Sequence, residues 1–402
     1  MNSVNPKSSA RIVATLSGKG GTGKSIITVS MGYILANCGF RTLLVDVDLF
    51  TGGMSFYSLA GNPRRSNFTL QDLFLGKYDL EATPVQAIAI PAEFCSNKLF
   101  LLPALSKGFR NRSELALHPE LRDVPTFSVL LRDVISMVGR DFEYILMDTR
   151  GGTDITSVSS ALVSDGFIIV TEADKTSWDV GEVLLTAISE AAEKGLKAQA
   201  LGFVINKNVL PPDAIVTFLR QRWDCPHLVT IPLDEHAIRF YQEDKVPVAE
   251  DAACPFSASL IPIVRKLFVD ESWPTESLMA LSHIENQAKT GQVLRRSVEE
   301  TQYKSERYSV LLKLYGTGLS TMLLFWLAID SRFRSFSIMQ SGVAILAALL
   351  IFLMTASDPK VIASLFGSRA RKAASERSAD IDSEPVNIQP SDQSNETRSV
   401  KK

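Results

Sequence analysis

The chain is poor in the residues that would place it outside the cytosol or around a zinc ion. Its 402 residues include 4 cysteines, Cys38, Cys95, Cys225 and Cys254, far apart and with no CxxC pair, and 4 histidines. This spacing argues against a zinc site and against a thioredoxin-like dithiol, and scattered reduced thiols suit the cytosol. Charge of either sign is not in excess, since 42 Lys and Arg face 44 Asp and Glu for a net −2. A global basic field for non-specific nucleic-acid binding is therefore missing, and nucleic acid is not favoured as a partner. The N-terminal MNSVNPKSSAR has no apolar core of a secretory signal, so synthesis is expected to begin in the cytoplasm.

What the chain has in quantity is short apolar runs separated by helical patterns. Strands are predicted at Ile12–Leu16, Thr42–Val45, Leu99–Leu102, Tyr144–Met147, Gly166–Val170, Ala200–Ile205 and Leu228–Ile231. Most are continuous Val/Ile/Leu stretches, as strands buried on both faces require. Between them Ile26–Ala36, Val129–Val138, Val180–Ala192 and Ser257–Leu267 carry apolar residues near a 3.6 period, with Pro262 expected to kink the last or delay its start. The class is α/β, a mostly parallel, doubly wound sheet.

Organisation changes after Phe268. A short N-terminal tail (1–10) and the α/β domain (11–268) are followed by a linker and charged helical stalk (269–312), read as interrupted at Gly291. A solvated helix packed on the domain stays open as the alternative. Two uncharged apolar stretches come next, Leu314–Ile329 and Ser335–Ser357, inside a predicted membrane region at 313–357. The first would rise only about 24 Å against a hydrocarbon core of about 30 Å. Lys304, Arg307 and Lys313 before the pair, and Lys360, Arg369, Arg371 and Lys372 after it, favour a hairpin with both flanks inside. A single crossing by Ser335–Ser357 is the competing topology, and Arg332 and Arg334 in the connection speak for it. Residues 358–402, rich in Ser, Asp, Asn and Glu, are expected to be a disordered cytoplasmic tail.

The chemistry lies early. Ser17-Gly-Lys-Gly-Gly-Thr-Gly-Lys-Ser25 follows a strand and opens a helix, the context of a phosphate-binding P-loop. Gly18, Gly20, Gly21 and Gly23 let the backbone N–H groups, Thr22 among them, turn towards phosphate oxygens at a helix N-terminus. Lys24 is expected to span the β- and γ-phosphates and Ser25 to ligate Mg²⁺. Carboxylates at strand C-termini, Asp46, Asp48 and Asp148, point into the ligand crevice of such a sheet.

KGGTGKS, with its additional Lys19, resembles the deviant Walker A motif of the MinD/ParA family, a branch of the SIMIBI P-loop class. The resemblance covers about residues 11–267 and includes Leu43-Leu-Val-Asp-Val-Asp48, Tyr144-Ile-Leu-Met-Asp148, Phe203-Val-Ile-Asn-Lys207 and Ile231-Pro-Leu-Asp234. It implies an ATP hydrolase of slow turnover that uses Mg-ATP, with catalytic Lys19, Lys24 and Asp48. Lys19 would reach the nucleotide of a second copy in a homodimer, and Asp48 would position the attacking water. Mg²⁺ would be organised by Ser25, Asp46 and Asp148, partly through water, and the base would be met by Asn206 and Pro232. Two positions depart from the family pattern: Ile26 stands where a second hydroxyl is usual, and Arg150 where proline is usual. Taken with the apolar C-terminus, the resemblance implies a switch ATPase at the inner (cytoplasmic) membrane, its ATPase domain facing the cytoplasm, that recruits or positions a protein partner. The alternatives are a P-loop tyrosine-kinase-like enzyme, weakened by the lack of any Tyr after Tyr315, and a targeting or insertion ATPase for hydrophobic clients.

Overall fold

The computed structural model describes residues 10–56, 69–74, 88–89, 97–105, 123–193 and 198–329. Strands are β1 (Arg11–Leu16), β2 (Thr42–Asp46), β3 (Ile88–Ala89), β4 (Leu99–Leu102), β5 (Tyr144–Asp148), β6 (Gly166–Glu172), β7 (Ala200–Asn208) and β8 (His227–Pro232). They form one sheet in the order β3-β4-β2-β5-β1-β6-β7-β8, parallel throughout except for the β3–β4 pair. The seven predicted strands are all present. The two-residue β3 is an addition to them, because so short an edge segment leaves no alternation to read.

Helices are α1 (Lys24–Asn37), α2 (Gly53–Phe56), α3 (Leu70–Phe74), α4 (Val124–Val138), α5 (Ile155–Val163), α6 (Lys175–Ala192), α7 (Asp213–Trp223), α8 (Glu235–Gln242), α9 (Pro247–Glu250), α10 (Pro255–Phe268) and α11 (Thr275–Ile329). The period-two alternation of strand side chains divides them into two layers. Val13, Leu146, Ile168 and Val170 pack on one face with α1, α10 and the start of α11, whereas Ala14, Leu16, Met147 and Ile169 pack on the other with α4 to α7. Sandwiched between sheet and helices, α1 buries Ile27, Val29, Met31, Ile34 and Leu35 around most of its circumference. It therefore reads as apolar all round and not as a stripe.

Three expectations change. Helix α10 starts at Pro255, earlier than predicted, and continues through Pro262, because Pro255 suits the first turn and the Cys254 sulfur accepts from the Ser257 amide (3.4 Å). Helix α11 is not interrupted at Gly291; a Cβ there would lie 2.3 Å from the Ala253 Cβ, so the glycine permits a close approach. Nor do the first turns of α11 stand apart as a stalk. Leu281 and Ala288 are buried in the core, and Arg295 pairs with Asp251. Trp273 anchors the approach, its indole Nε1 donating to the Tyr144 hydroxyl (2.7 Å) amid the rings of Phe40, Tyr144 and Phe268.

The chain divides into two compact units, residues 1–295 and 296–402. Among the described residues no helix is long and apolar enough to cross a membrane. The expected hairpin needed Leu314–Ile329 to cross, and that expectation is corrected: the stretch is short for a span and is diluted by Tyr315, Gly316, Thr317, Ser320 and Thr321. The second stretch, Ser335–Ser357, the connection at 330–334 and the tail at 358–402 lie outside the described residues, as do 1–9 and Cys95.

Candidate functional site

Parallel strands carry their C-terminal ends to one edge, and the chain reverses direction across the sheet at β1. Thr15 of β1 and Asp46 of β2 are both in register with Asp148 of β5, so the loops after these strands converge. On the other side Glu172 of β6 is in register with Asn206 of β7. A cleft of roughly 800 Å³ opens there, a size suited to a small ligand. Its walls include Gly20, Gly21, Gly23, Lys24, Ser25, Asp48, Asp148, Asn206 and Pro232.

The glycine-rich loop closes as its sequence predicts. Gly21 (φ +79°) and Gly23 (φ +92°) are left-handed, and Gly23 precedes the first residue of α1. Side chains would be strained at these angles. Lys24 is 6% exposed and donates from Nζ to the Ser17 hydroxyl (2.9 Å). Burial pushes its ammonium below the ordinary lysine range, against the pull of Asp148, Asp48 and Asp154.

Beside it the Ser25 hydroxyl donates to Asp148 Oδ2 (2.5 Å). Asp148 is 1% exposed, and its Oδ1 is buried with no hydrogen-bond partner among the described residues. Burial raises its carboxyl above the usual range, opposed by Lys24 and by the Ser25 bond. An orphaned carboxylate oxygen next to a serine hydroxyl at the foot of a glycine cradle fits Mg²⁺ carried in by phosphates.

Asp46 behaves differently. Its Oδ2 accepts from the Ser55 amide (2.7 Å) and hydroxyl (2.6 Å), its Oδ1 accepts from the Asp48 amide (3.1 Å), and burial together with nearby Asp148 raises its carboxyl. It is not among the residues of the cleft wall. These bonds tie β2 to α2. Asp48 does reach the cleft, closing a turn in which its carboxylate accepts from the Thr51 amide (2.9 Å) and from the Thr51 hydroxyl.

Lys19 lies on the rim, its Nζ 3.2 Å from Glu172 and 3.4 Å from Asp174 of the same chain. The Glu172 partner lifts its pKa. Lys207 also pairs with Glu172 (2.9 Å) and donates to the Gly21 carbonyl. Partial burial draws the Glu172 carboxyl upward, but the bonds from Lys207 and Lys19 prevail and hold it low. Asn206 donates from Nδ2 to the Thr22 carbonyl (2.7 Å), stapling β7 to the glycine loop.

Sequence reasoning missed Lys207, Glu172, Thr51 and the apolar wall made by Ala237, Ile238 and Tyr241 of α8 with Leu233 and Phe256. These α8 positions share a face at helical spacing, and Asp234 fixes the helix by capping its N-terminus and accepting from the Phe256 amide (3.0 Å). Burial, with Asp148, Asp244 and Asp46, raises the Tyr241 phenol.

A glycine loop between β1 and α1, a buried lysine, and a serine–aspartate pair at the crest of a parallel sheet define a P-loop domain. Its fold is that of the MinD/ParA ATPases. Residues 10–201 match a family model described as an AAA domain. The chain is 30% identical over 145 residues to a MinD-type relative of Guillardia theta, covering 36% of this chain and 46% of that one. It is 26% identical over 167 residues to the septum site-determining protein MinD of Synechocystis, 42% of this chain and 55% of that one. The chain thus spans about half the length of such curated relatives. Among solved structures, MinD complexed with Mg-ADP from Pyrococcus horikoshii superposes with a TM-score of 0.52 at 22% identity, over 66% of this chain and 98% of that one. The ATP complex of a McdA variant from Cyanothece gives 0.54 at 15% identity, over 66% and 98%.

Proposed function

We propose that this chain binds and hydrolyses Mg-ATP, forms a homodimer with nucleotide, and serves as a membrane-fastened switch that recruits or positions a protein partner. The observation that carries the nucleotide reading is the convergence of Lys24, Ser25 and the orphaned Asp148 Oδ1 under the left-handed glycines Gly21 and Gly23. The P. horikoshii relative of like fold is complexed with Mg-ADP and the Cyanothece one with ATP, which supports the same ligands here.

Gly20, Gly21, Gly23 and the start of α1 present backbone N–H groups to the phosphates, and Lys24 supplies the charge. Ser25 and Asp148 hold Mg²⁺, which neutralises phosphate charge when bound. Asp48 orients the attacking water, with Thr51 holding its carboxylate in place. Pro232, Leu233, Ile238, Tyr241 and Phe256 form an apolar wall for the base. Asn206 edges that wall while its amide stays on Thr22. Ile26 brings an apolar group where a phosphate contact is usual, consistent with slow turnover.

Dimerisation rests on Lys19. To reach the nucleotide of a second copy it must exchange Glu172 and Asp174 for phosphate oxygens, a swap between anionic partners on an exposed rim. A relative of like fold is a MinC:MinD complex, which supports a protein partner. Membrane attachment rests on the uncharged stretch Ser335–Ser357, long enough to cross a bilayer as a helix. The domain then faces the cytoplasm at the inner membrane, where its nucleotide is.

The test is light scattering of the full-length chain in detergent micelles with Mg-ATP, wild type against Asp48→Ala. A hydrolysis-blocked variant that doubles in mass with ATP but not with ADP supports the switch. One mass in every nucleotide state reduces the chain to a nucleotide-binding scaffold.

A further inference from the structure

Arg150 has no part in holding Mg²⁺ or the base, yet its backbone is tied on both sides to the end of β1 and the loop after it. The Thr149 hydroxyl on one side donates to the Thr15 carbonyl (3.0 Å), and the Gly152 amide on the other donates to the Ser17 carbonyl (2.9 Å). The Ser157 hydroxyl donates to the carbonyl of Arg150 itself (2.9 Å). Between them a Cβ on Gly151 would lie 2.4 Å from the Lys19 carbonyl carbon, so this segment and the glycine loop touch backbone to backbone. Arg150 therefore springs from a fixed base directly beside the phosphate cradle.

Its side chain is exposed and lines the cleft with Lys24, Ser25 and Asp48. The guanidinium carbon stands 5.8 Å from the centre of the Phe50 ring, and Phe50 belongs to the Asp48–Thr51 turn. The other cations of the wall are engaged: Lys24 on the Ser17 hydroxyl, Lys207 on Gly21 and Glu172. Among the described residues no carboxylate forms an ion pair with Arg150. A contact with an aromatic face at an exposed site is weak beside a bidentate bond to phosphate, so the guanidinium is parked, not committed.

We propose that Arg150 reads the terminal phosphoryl group of the nucleoside triphosphate within its own chain. With triphosphate present the guanidinium leaves Phe50 and donates two parallel N–H···O bonds to terminal phosphate oxygens. In hydrolysis the water oxygen bonds to the γ-phosphorus as the bond to the β–γ bridging oxygen breaks. The electron pair departs on that oxygen, and nucleoside diphosphate, inorganic phosphate and a proton result. Arg150 stabilises the charge that moves during this step. Its departure also frees Phe50, so the Asp48 turn senses whether a third phosphate is present. A diphosphate lacks the group that would draw Arg150 away.

This rests on the nucleotide reading above, and the test separates the two. The full-length chain in detergent is titrated with Mg-ADP and with the slowly hydrolysed Mg-ATPγS, and single-turnover hydrolysis of Mg-ATP is followed at two protein concentrations. Arg150→Ala is expected to keep ADP affinity within about twofold, weaken the triphosphate roughly tenfold and slow hydrolysis on the order of a hundredfold. Arg150→Lys should recover most of the binding but little of the rate, because an ammonium cannot make the paired contact. An unchanged triphosphate-to-diphosphate ratio with an unchanged rate would overturn the proposal and leave Arg150 as a solvated side chain. Equal loss of both ligands would overturn it too, assigning Arg150 to holding the loop. A defect that appears only at the higher protein concentration would place the contact on a second copy and overturn the same-chain assignment. Wild type that binds neither nucleotide would refute the nucleotide reading and this one with it.

Discussion

Lys24 and Lys19 belong to one glycine-rich loop and live in opposite surroundings. Lys24 is buried and its charge is disfavoured; the Lys19 side chain is 39% exposed and its charge is favoured by Glu172 and Asp174. The floor of the cleft thus holds charges that the protein alone leaves unsettled, including a carboxylate oxygen with no partner among the described residues. The rim holds charges already balanced by ion pairs. Unsettled buried charge waits for a ligand, whereas balanced rim charge can be exchanged cheaply for a new partner.

That contrast can be broken at the floor first. Asp148→Asn is expected to weaken Mg-nucleotide binding by roughly a hundredfold, with little change in binding measured in EDTA. Titration calorimetry with and without Mg²⁺ checks this; an equal loss in both conditions would mean that Asp148 shapes the loop and not the metal. The same substitution should leave ligand-free stability unchanged or raise it by about 1 kcal/mol, because it removes a buried charge lacking full compensation. Denaturant melts of the empty protein decide, and a loss above about 2 kcal/mol would show that the floor was settled after all.

Titration sharpens the contrast further. Burial raises both Asp46 and Asp148, so the folded, empty protein holds their protons more tightly than the unfolded chain does. That stabilisation is complete below the ordinary carboxylate range and is lost as pH climbs through the raised values. Ligand-free melting temperature should therefore fall between about pH 5 and about pH 8, while Mg-nucleotide affinity, which needs ionised Asp148, should rise. A melting temperature that rises across this window contradicts the direction of the shifts.

At the rim effects should be small. Glu172→Gln is expected to change stability by less than about 1 kcal/mol and Lys19→Ala to leave the melting temperature almost unmoved, and salt should shrink both differences. A larger loss, measured by thermal melts at low and high salt, would make the rim structural.

Much of this is legible in the sequence, for physical reasons. Strands buried on both faces write themselves as apolar runs, and the glycine loop is constrained by backbone geometry, so β1, β5 and Lys24 can be found by eye. The bonds from α2 to Asp46 are not legible, because a strand-end carboxylate looks the same in sequence whether or not it accepts from Ser55. Gly291 reads as a break because composition cannot show that Ala253 lies against it. Tyr241 and Glu172 join the site only through helix face and strand register, which no short motif records.

The central claim is that the floor is a nucleotide site built on Lys24. It is tested most directly by calorimetric titration of Mg-ATP into the full-length chain and into Lys24→Ala. Saturable binding by the wild type at one nucleotide per chain, with no measurable heat of binding in the variant, is the predicted result. Equal affinity in the two proteins would contradict it.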